Sequence, residues 1–373
     1  MKWSFAISLA SACAASLAAC SSDPAASGGG AGAAGSGAGA GAVAGSSGSS
    51  AAGATSGTAG ASAGGGGVTA GSGGSAGAAA GSGGTGGSAG SSGAGGSAGG
   101  GAGAGGASFW GPGGPKKQWQ CPAGPFGNQS MGTGTNICVG FKYNYGYNEG
   151  PTWIASENAF FFSNFIQGSN LGGDIIKYTM GGQCEVWVHD VGCNGLGVSP
   201  SGNLLGACQG PRAVMEYDLK TKQGRMVATM AGGMLLDSPN DLIARSDGNV
   251  YFSNTTYELG NRPQGLGQAL VRIDPFGITS VVEKGGLNGV ALSPDENKLY
   301  VVGKGVFTLD AAGVATKANG ADPGGDGIAV DCAGGVTHTA TNSAYGGADG
   351  KTLIAVGGGT AAKIYQMTVP GLP

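Results

Sequence analysis

The sequence predicts an all-β propeller, and three observations carry that expectation. The first is self-similarity. Segments starting at Glu149, Asn194, Asn240, Asn288 and Asp326 read alike, at spacings of 45, 46, 48 and 38 residues. The second is the make-up of each unit: a polar residue, a short apolar strand, a Pro/Asp/Gly cluster and a second strand, with few stretches of helical period. The third is the length of the period. Forty-odd residues suit a four-stranded blade that buries its faces only against neighbouring blades. A β-solenoid repeats at shorter intervals, and a sandwich would not bring the same polar residue back to each strand start.

Composition divides the 373 residues before any motif is read. Lys2 gives a minimal positive start, and residues 5–19 form an apolar and small-residue run too short to span a bilayer. The run ends Leu17-Ala18-Ala19-Cys20, which resembles a bacterial lipobox. In such signals the cysteine becomes the lipid-bearing N-terminus, so residues 1–20 are expected to be a lipoprotein signal peptide with Cys20 lipidated. An ordinary cleaved signal with an incidental cysteine is the alternative. Of the 88 residues 21–108, 84 are Gly, Ala, Ser or Thr. Such a stretch has nothing to bury that would repay the entropy of ordering. It reads as a disordered linker with a span of roughly 50 Å. The chain is therefore expected at the bacterial cell envelope, outside the cytoplasm, with the membrane met only through the lipid.

The remaining residues, 109–373, are enough for the propeller. The formal net charge of −3 gives no basic footprint, which argues against nucleic acid as a partner. A total of two histidines makes a His-rich zinc site implausible. Gly86-Gly87-Ser88-Ala89-Gly90 fits a nucleophile-elbow pattern but has no strand before it and is a product of composition. Six cysteines fall in the globular part, an even set that outside the cytoplasm suggests disulfides. Cys121 is expected to pair with Cys138; Cys184, Cys193, Cys208 and Cys332 are either disulfides or buried thiols.

The recurring polar residue points to function. In a propeller the innermost strand of every blade starts near one mouth of the central channel. Glu149, Asn194, Asn240, Asn288 and Asp326 would therefore converge there, two carboxylates and three amides. All are oxygen donors of the kind that hard cations prefer. The alternative is that Asn-Gly and Asp-Gly here are only turn formers.

Glu149-Gly150-Pro151-Thr152-Trp153, Ser238-Pro239-Asn240-Asp241, Leu270-Val271-Arg272-Ile273-Asp274-Pro275, Asn288-Gly289-Val290-Ala291-Leu292-Ser293-Pro294-Asp295 and Asp326-Gly327-Ile328-Ala329-Val330-Asp331 resemble motifs of the senescence marker protein-30/gluconolactonase family, in the family's order. So does the closing Thr341-Asn342-Ser343-Ala344-Tyr345-Gly346-Gly347-Ala348-Asp349-Gly350-Lys351-Thr352-Leu353. The resemblance covers about 149–373. It implies a six-bladed propeller with one divalent cation at the channel mouth and hydrolysis of sugar or related lactones. By motif, Glu149, Asn288 and Asp326 resemble the metal-binding residues, and Asn240 the substrate-touching asparagine beside the ion. Asn194 is proposed as substrate-binding from the repeat alone. The expected cation is Ca²⁺, with Zn²⁺, Mn²⁺ and Mg²⁺ as alternatives, and the protein is expected to be a monomer.

Lactone hydrolysis needs a polarised carbonyl, an activated water and a stabilised oxyanion. Asp326 is the candidate base, and Asn240 and Asn194 are candidate amide donors. His189 reads as structural, and His338 has no assigned role. The competing reading is a non-catalytic propeller that binds a carbohydrate or a partner protein at the same mouth. Four positions depart from the family: Asn164, Asn254 and Gly303 stand where members often have aspartate, and Ser238 where animal members have arginine. Only 16 residues separate Asp326 from Asn342, too few for a whole blade. Either residues 110–147 supply strands that close the ring, or the fifth and sixth blades are truncated or degenerate and the ring has exposed edges.

Overall fold

The computed structural model describes residues 109–111, 114–115, 120–357 and 359–373. The expected signal peptide with Cys20 and the expected linker 21–108 lie outside the described residues.

The fold is an all-β propeller with five four-stranded antiparallel blades. The first blade comprises Tyr147–Ile154, Ala159–Phe165, Asp174–Thr179 and Cys184–Val188; the second Cys193–Val198, Leu204–Cys208, Ala213–Tyr217 and Gly224–Ala228. The third is built from Ser238–Ala244, Val250–Thr255, Ala269–Ile273 and Thr279–Lys284, and the fourth from Val290–Leu292, Lys298–Val301, Gly305–Leu309 and Ala315–Lys317. A two-stranded sheet, Ala329–Val330 with Val336–Thr337, follows. The last blade contains Asn342–Gly346, Thr352–Gly357 and Ala361–Gln366. Its fourth strand, Thr135–Asn136, comes from the beginning of the domain, in register Thr135↔Ile364 and Asn136↔Lys363. A bridge between Met131 and Met367 extends this closure. Of the two ways residues 110–147 were expected to act, they supply the closing strand.

Alternating apolar residues let each blade bury both faces, and the core is accordingly divided into six clusters, one at each boundary around the ring. Ile154, Phe161 and Trp187 of the first blade meet Leu196, Leu204 and Tyr217 of the second. Val214 and Val227 meet Val250, Phe252 and Val271. Tyr251 and Leu270 meet Leu299 and Phe307. Ala344, Ile354 and Val356 of the last blade meet Trp153, Phe160 and Phe162 of the first. The two boundaries of the two-stranded sheet are far thinner, four buried apolar residues each against fifteen between the second and third blades.

Among the described residues there are three disulfides: Cys121–Cys332 and Cys138–Cys184 fasten the lead-in to the ring, and Cys193–Cys208 joins two neighbouring strands of the second blade. The expected pairing of Cys121 with Cys138 is thus wrong. The lead-in crosses the last blade between these two residues. Cys121 is left beside the two-stranded sheet and Cys138 beside the first blade, so each finds its partner on the element it reaches.

Candidate functional site

In the first three blades the starts of the innermost strands are not plain turns but breaks in the pairing register. Register shifts fall between Glu149 and Thr152, between Cys193 and Leu196, and between Pro239 and Leu242. Each is a β-bulge, which re-aims a side chain at the rim of a sheet. The glycine after the polar residue is explained by close approach. A Cβ on Gly150 would strike Gly195, one on Gly195 would strike Asn240 and Asp241, and one on Gly327 would strike the Asn342 side chain. A Cβ on Gly289 would strike the backbone of Asp326 and Gly327. The strand starts therefore pack backbone to backbone about one axis, and the polar side chains before them share one mouth.

The expected residues are placed as follows. Asn288 Nδ2 donates to Asp326 Oδ1. Glu149 is 6% exposed, and its carboxylate accepts the Gly150 N–H at 2.9 Å. Burial first, then the Asp326 charge, pushes the Glu149 carboxyl up to about 8. Asp326 is itself raised by burial, against the pull of Asn288. Asn194 and Asn240 are buried, and neither side-chain amide has a hydrogen-bond partner among the described residues. His189 is a largely exposed side chain 3.4 Å from Asp174. His338 lines a cleft beside the two-stranded sheet, its side chain against Gly325.

Two further carboxylates belong to the mouth and were missed. Asp241 takes the position glycine holds in four other repeats. Its Oδ1 accepts the Leu242 N–H at 3.0 Å and its Oδ2 the Val290 N–H of the fourth blade at 2.9 Å. Burial pushes it up to about 7 against those hydrogen bonds. That lone departure from the polar-Gly pattern was a readable signal. Glu258 sits on the segment between the second and third strands of the third blade, outside the repeat, so the period could not reveal it. Ser238 Oγ donates to Glu258 Oε2 at 3.0 Å, and burial raises the carboxyl. The Asp326 charge acts on Glu149, Asp241 and Glu258, and on the phenols of Tyr147 and Tyr257. Groups from different blades thus lie within electrostatic reach of one another.

The departures at Asn164 and Asn254 support the same strand starts from behind. Asn164 Oδ1 accepts the Tyr145 N–H at 2.9 Å, and its amide donates to Asn148 Oδ1 at 2.8 Å. Asn254 Oδ1 accepts the Asp237 N–H at 2.8 Å, and its amide donates to Gly267 O.

No described lysine or arginine forms an ion pair with Glu149, Asp241, Glu258 or Asp326. Among the described residues no three of His, Cys, Asp and Glu converge as a metal-holding group by themselves. The set at the mouth is mixed: carboxylates together with amide oxygens, crowded and without a counter-charge. That chemistry fits a hard divalent cation and offers a thiophilic or imidazole-seeking one nothing.

Comparison with known proteins agrees with this architecture. The profile of the SMP-30/Gluconolactonase/LRE-like region matches residues 147–345. A gluconolactonase of Zymomonas mobilis is 32% identical over 193 residues, which are 46% of this chain and 54% of that protein. The chain thus spans about half the length of this curated relative. A solved gluconolactonase of Xanthomonas campestris, described as important in glucose secondary metabolic pathways, superposes with a TM-score of 0.52 at 22% identity, covering 67% of this chain and 98% of that one. A luciferin-regenerating enzyme superposes at 0.50 with 15% identity over 65% and 97% of the two chains. At such identities the likeness speaks for the fold alone.

Proposed function

Because the chain belongs to the SMP-30/gluconolactonase/LRE-like family, we propose that its channel mouth hydrolyses a sugar lactone or a related lactone. The observation that carries this reading is the gathering of Glu149, Asn288 and Asp326 with Asp241 and Glu258 at one mouth without a cationic side chain. Glu149, Asn288 and Asp326 would hold one divalent cation, Ca²⁺ first, which when bound supplies Lewis-acid polarisation of a carbonyl.

The chain's own groups do the rest. Asn240 and Asn194 present buried, unpartnered amides, whose N–H groups suit a lactone oxygen that gains charge as water adds to its carbon. Asp326, its carboxyl raised by burial, accepts the proton of that water at a carboxylate oxygen. The ring oxygen then leaves as an alkoxide and is reprotonated, so the product is the open hydroxy acid. Ser238 offers no positive charge for an acidic substituent, so a neutral lactone suits the mouth better than a carboxylated one.

In this reading the two-stranded sheet is a sixth blade reduced to its inner half, residues 1–20 direct lipidation of Cys20, and residues 21–108 tether a monomeric propeller to the envelope. The test is turnover of glucono-δ-lactone by the purified chain, followed as acid release. Activity should vanish with chelator, return with Ca²⁺ or Mn²⁺, and fall by about three orders of magnitude in Asp326→Ala, the size of a lost general base combined with a lost ligand. No turnover across a panel of lactones would leave the mouth a non-catalytic binding site.

A further inference from the structure

The mouth has an aromatic wall that neither the ion nor the proton transfer uses. Each innermost strand starts at the mouth and its antiparallel neighbour runs back to it, so the segment following a second strand lies on the rim. In the third blade Thr255 of the second strand pairs with Ser238, which stands just before Pro239 and Asn240. Tyr257 follows on that rim, next to Glu258. Its phenol donates to Leu287 O at 3.2 Å, the carbonyl immediately before Asn288. The side chain therefore spans from the blade that carries Asn240 to the strand start that carries Asn288. Burial first, and then the Asp326 and Glu258 charges, raises the phenol, in keeping with a place among the mouth carboxylates.

Tyr257 is not a core residue. It is 45% exposed and belongs to none of the six apolar clusters. Among the described residues no second ring and no cation packs on it. Of the described aromatic side chains only Phe276 is more exposed, and it lies on the turn between the third and fourth strands, at the other end of the blade. The Tyr257 hydroxyl is taken by Leu287, so what the residue still offers to a ligand is its ring. A rigid, pre-placed ring gives contact area at little cost in side-chain entropy. Its electron-rich face suits C–H groups, and a sugar ring carries these on its flat faces while its hydroxyls point from the edges. The mouth thus combines amides for a polar edge, at Asn240 and Asn194, with an aromatic surface for an apolar face.

We propose that Tyr257 is a substrate-binding residue of the mouth, its ring the platform on which the C–H face of a sugar lactone lies, anchored at its far edge by Leu287. The inference deepens the lactone reading and rests on it. Steady-state kinetics of the purified full chain with glucono-δ-lactone, or with whichever lactone of the panel is turned over fastest, tests it alongside calorimetric titration with Ca²⁺. Tyr257→Leu removes the aromatic face at similar bulk and should raise KM about five- to tenfold while kcat stays within about twofold, the pattern of lost uniform binding. Tyr257→Phe keeps the ring and gives up the bond to Leu287, and should recover all but about twofold of that affinity. Ca²⁺ should bind both variants as it binds the unmodified chain, because the ring contributes no ion ligand. A mere strut between the blades would behave otherwise: the Phe and Leu variants would be impaired alike, and a loosened strand start at Asn288 would weaken Ca²⁺ binding. The proposal is overturned by an unchanged KM in Tyr257→Leu, by equal impairment of the two variants, or by loss of Ca²⁺ affinity in Tyr257→Leu. Turnover with an unchanged KM fails the platform alone, whereas no turnover of any lactone by the unmodified chain fails the lactone reading and the platform with it.

Discussion

Asp241 shows how one side chain can serve the ring and the mouth together. It replaces the glycine of the polar-Gly pair, and its carboxylate accepts N–H groups from its own blade and from Val290 of the next. Truncating it strands two buried donors, each worth about 1–3 kcal/mol. Asp241→Ala should therefore cost roughly 2–5 kcal/mol in denaturant unfolding with an unchanged m-value, whereas Asp241→Asn, which keeps one acceptor oxygen, should cost about half as much. Glu149 makes a prediction of opposite character. Its carboxyl is pushed up to about 8 in the folded chain, from an ordinary 4.5, so between those values the folded state binds more protons than the unfolded one. Stability then falls as pH rises through that window, and Asp241, raised to about 7, acts in the same sense. Scanning calorimetry of the chelated chain should show Tm dropping from about pH 5 to about pH 8, by several degrees. Glu149→Gln should flatten that slope. Added Ca²⁺ should raise Tm most at the alkaline end, where the carboxylates are ionised and repel one another. A chelated protein whose Tm climbs over the same range would contradict the uncompensated mouth.

The strand starts were legible as a phase, because a residue type that recurs every forty-odd positions must occupy equivalent places in equivalent units. Their cause was not. Asn-Gly reads as a turn from sequence, and only the pairing register shows a bulge with glycine admitted by the neighbouring strand's backbone. Glu258 stayed hidden because it lies on a segment that no other repeat shares. The disulfides were misread for a similar reason, since the partner of Cys121 depends on the path the lead-in takes around the ring. That path matters most for the two-stranded sheet. With four buried apolar residues on each side, it has the least apolar burial of any unit, and Cys121–Cys332 closes a loop of 211 residues upon it. The backbone beyond residue 369 adds further support, through Cys332 N–H to Pro370 O at 2.7 Å and Leu372 N–H to Val330 O at 3.0 Å. Cys332→Ser should lower stability by roughly 5 kcal/mol, on a chain-entropy estimate. Hydrogen exchange should quicken first in 328–337 and only later in the other blades. Uniform acceleration over all blades would mean the bond holds the whole ring rather than this unit.

At the scale of the molecule, the forty-residue period foretold a ring, and the short interval between Asp326 and Asn342 foretold where it would be thin. What the period could not supply was the closure, because Thr135–Asn136 is two residues long and carries no repeat signal. Those two residues complete the last blade, the blade that stands between the unit carrying Asp326 and the blade carrying Glu149. The proposed ligands thus lie on opposite sides of the closure, and their spacing depends on it. In a linear array each unit answers only to its neighbours, whereas a closed ring makes the first and last blades neighbours too, and the cluster shared by Trp153, Phe160, Ile354 and Val356 is the apolar expression of that contact. Replacing both Thr135 and Asn136 by proline removes the Thr135 donor of the closing ladder and stiffens the strand, without removing any core side chain or any mouth residue. The expected result is a lower and broader thermal transition together with a Ca²⁺ affinity reduced by about tenfold, both read by calorimetry. If stability falls while ion affinity is unchanged, the mouth is held by the inner strands alone; if both fall together, the two-residue strand sets the geometry of a site to which it contributes no atom.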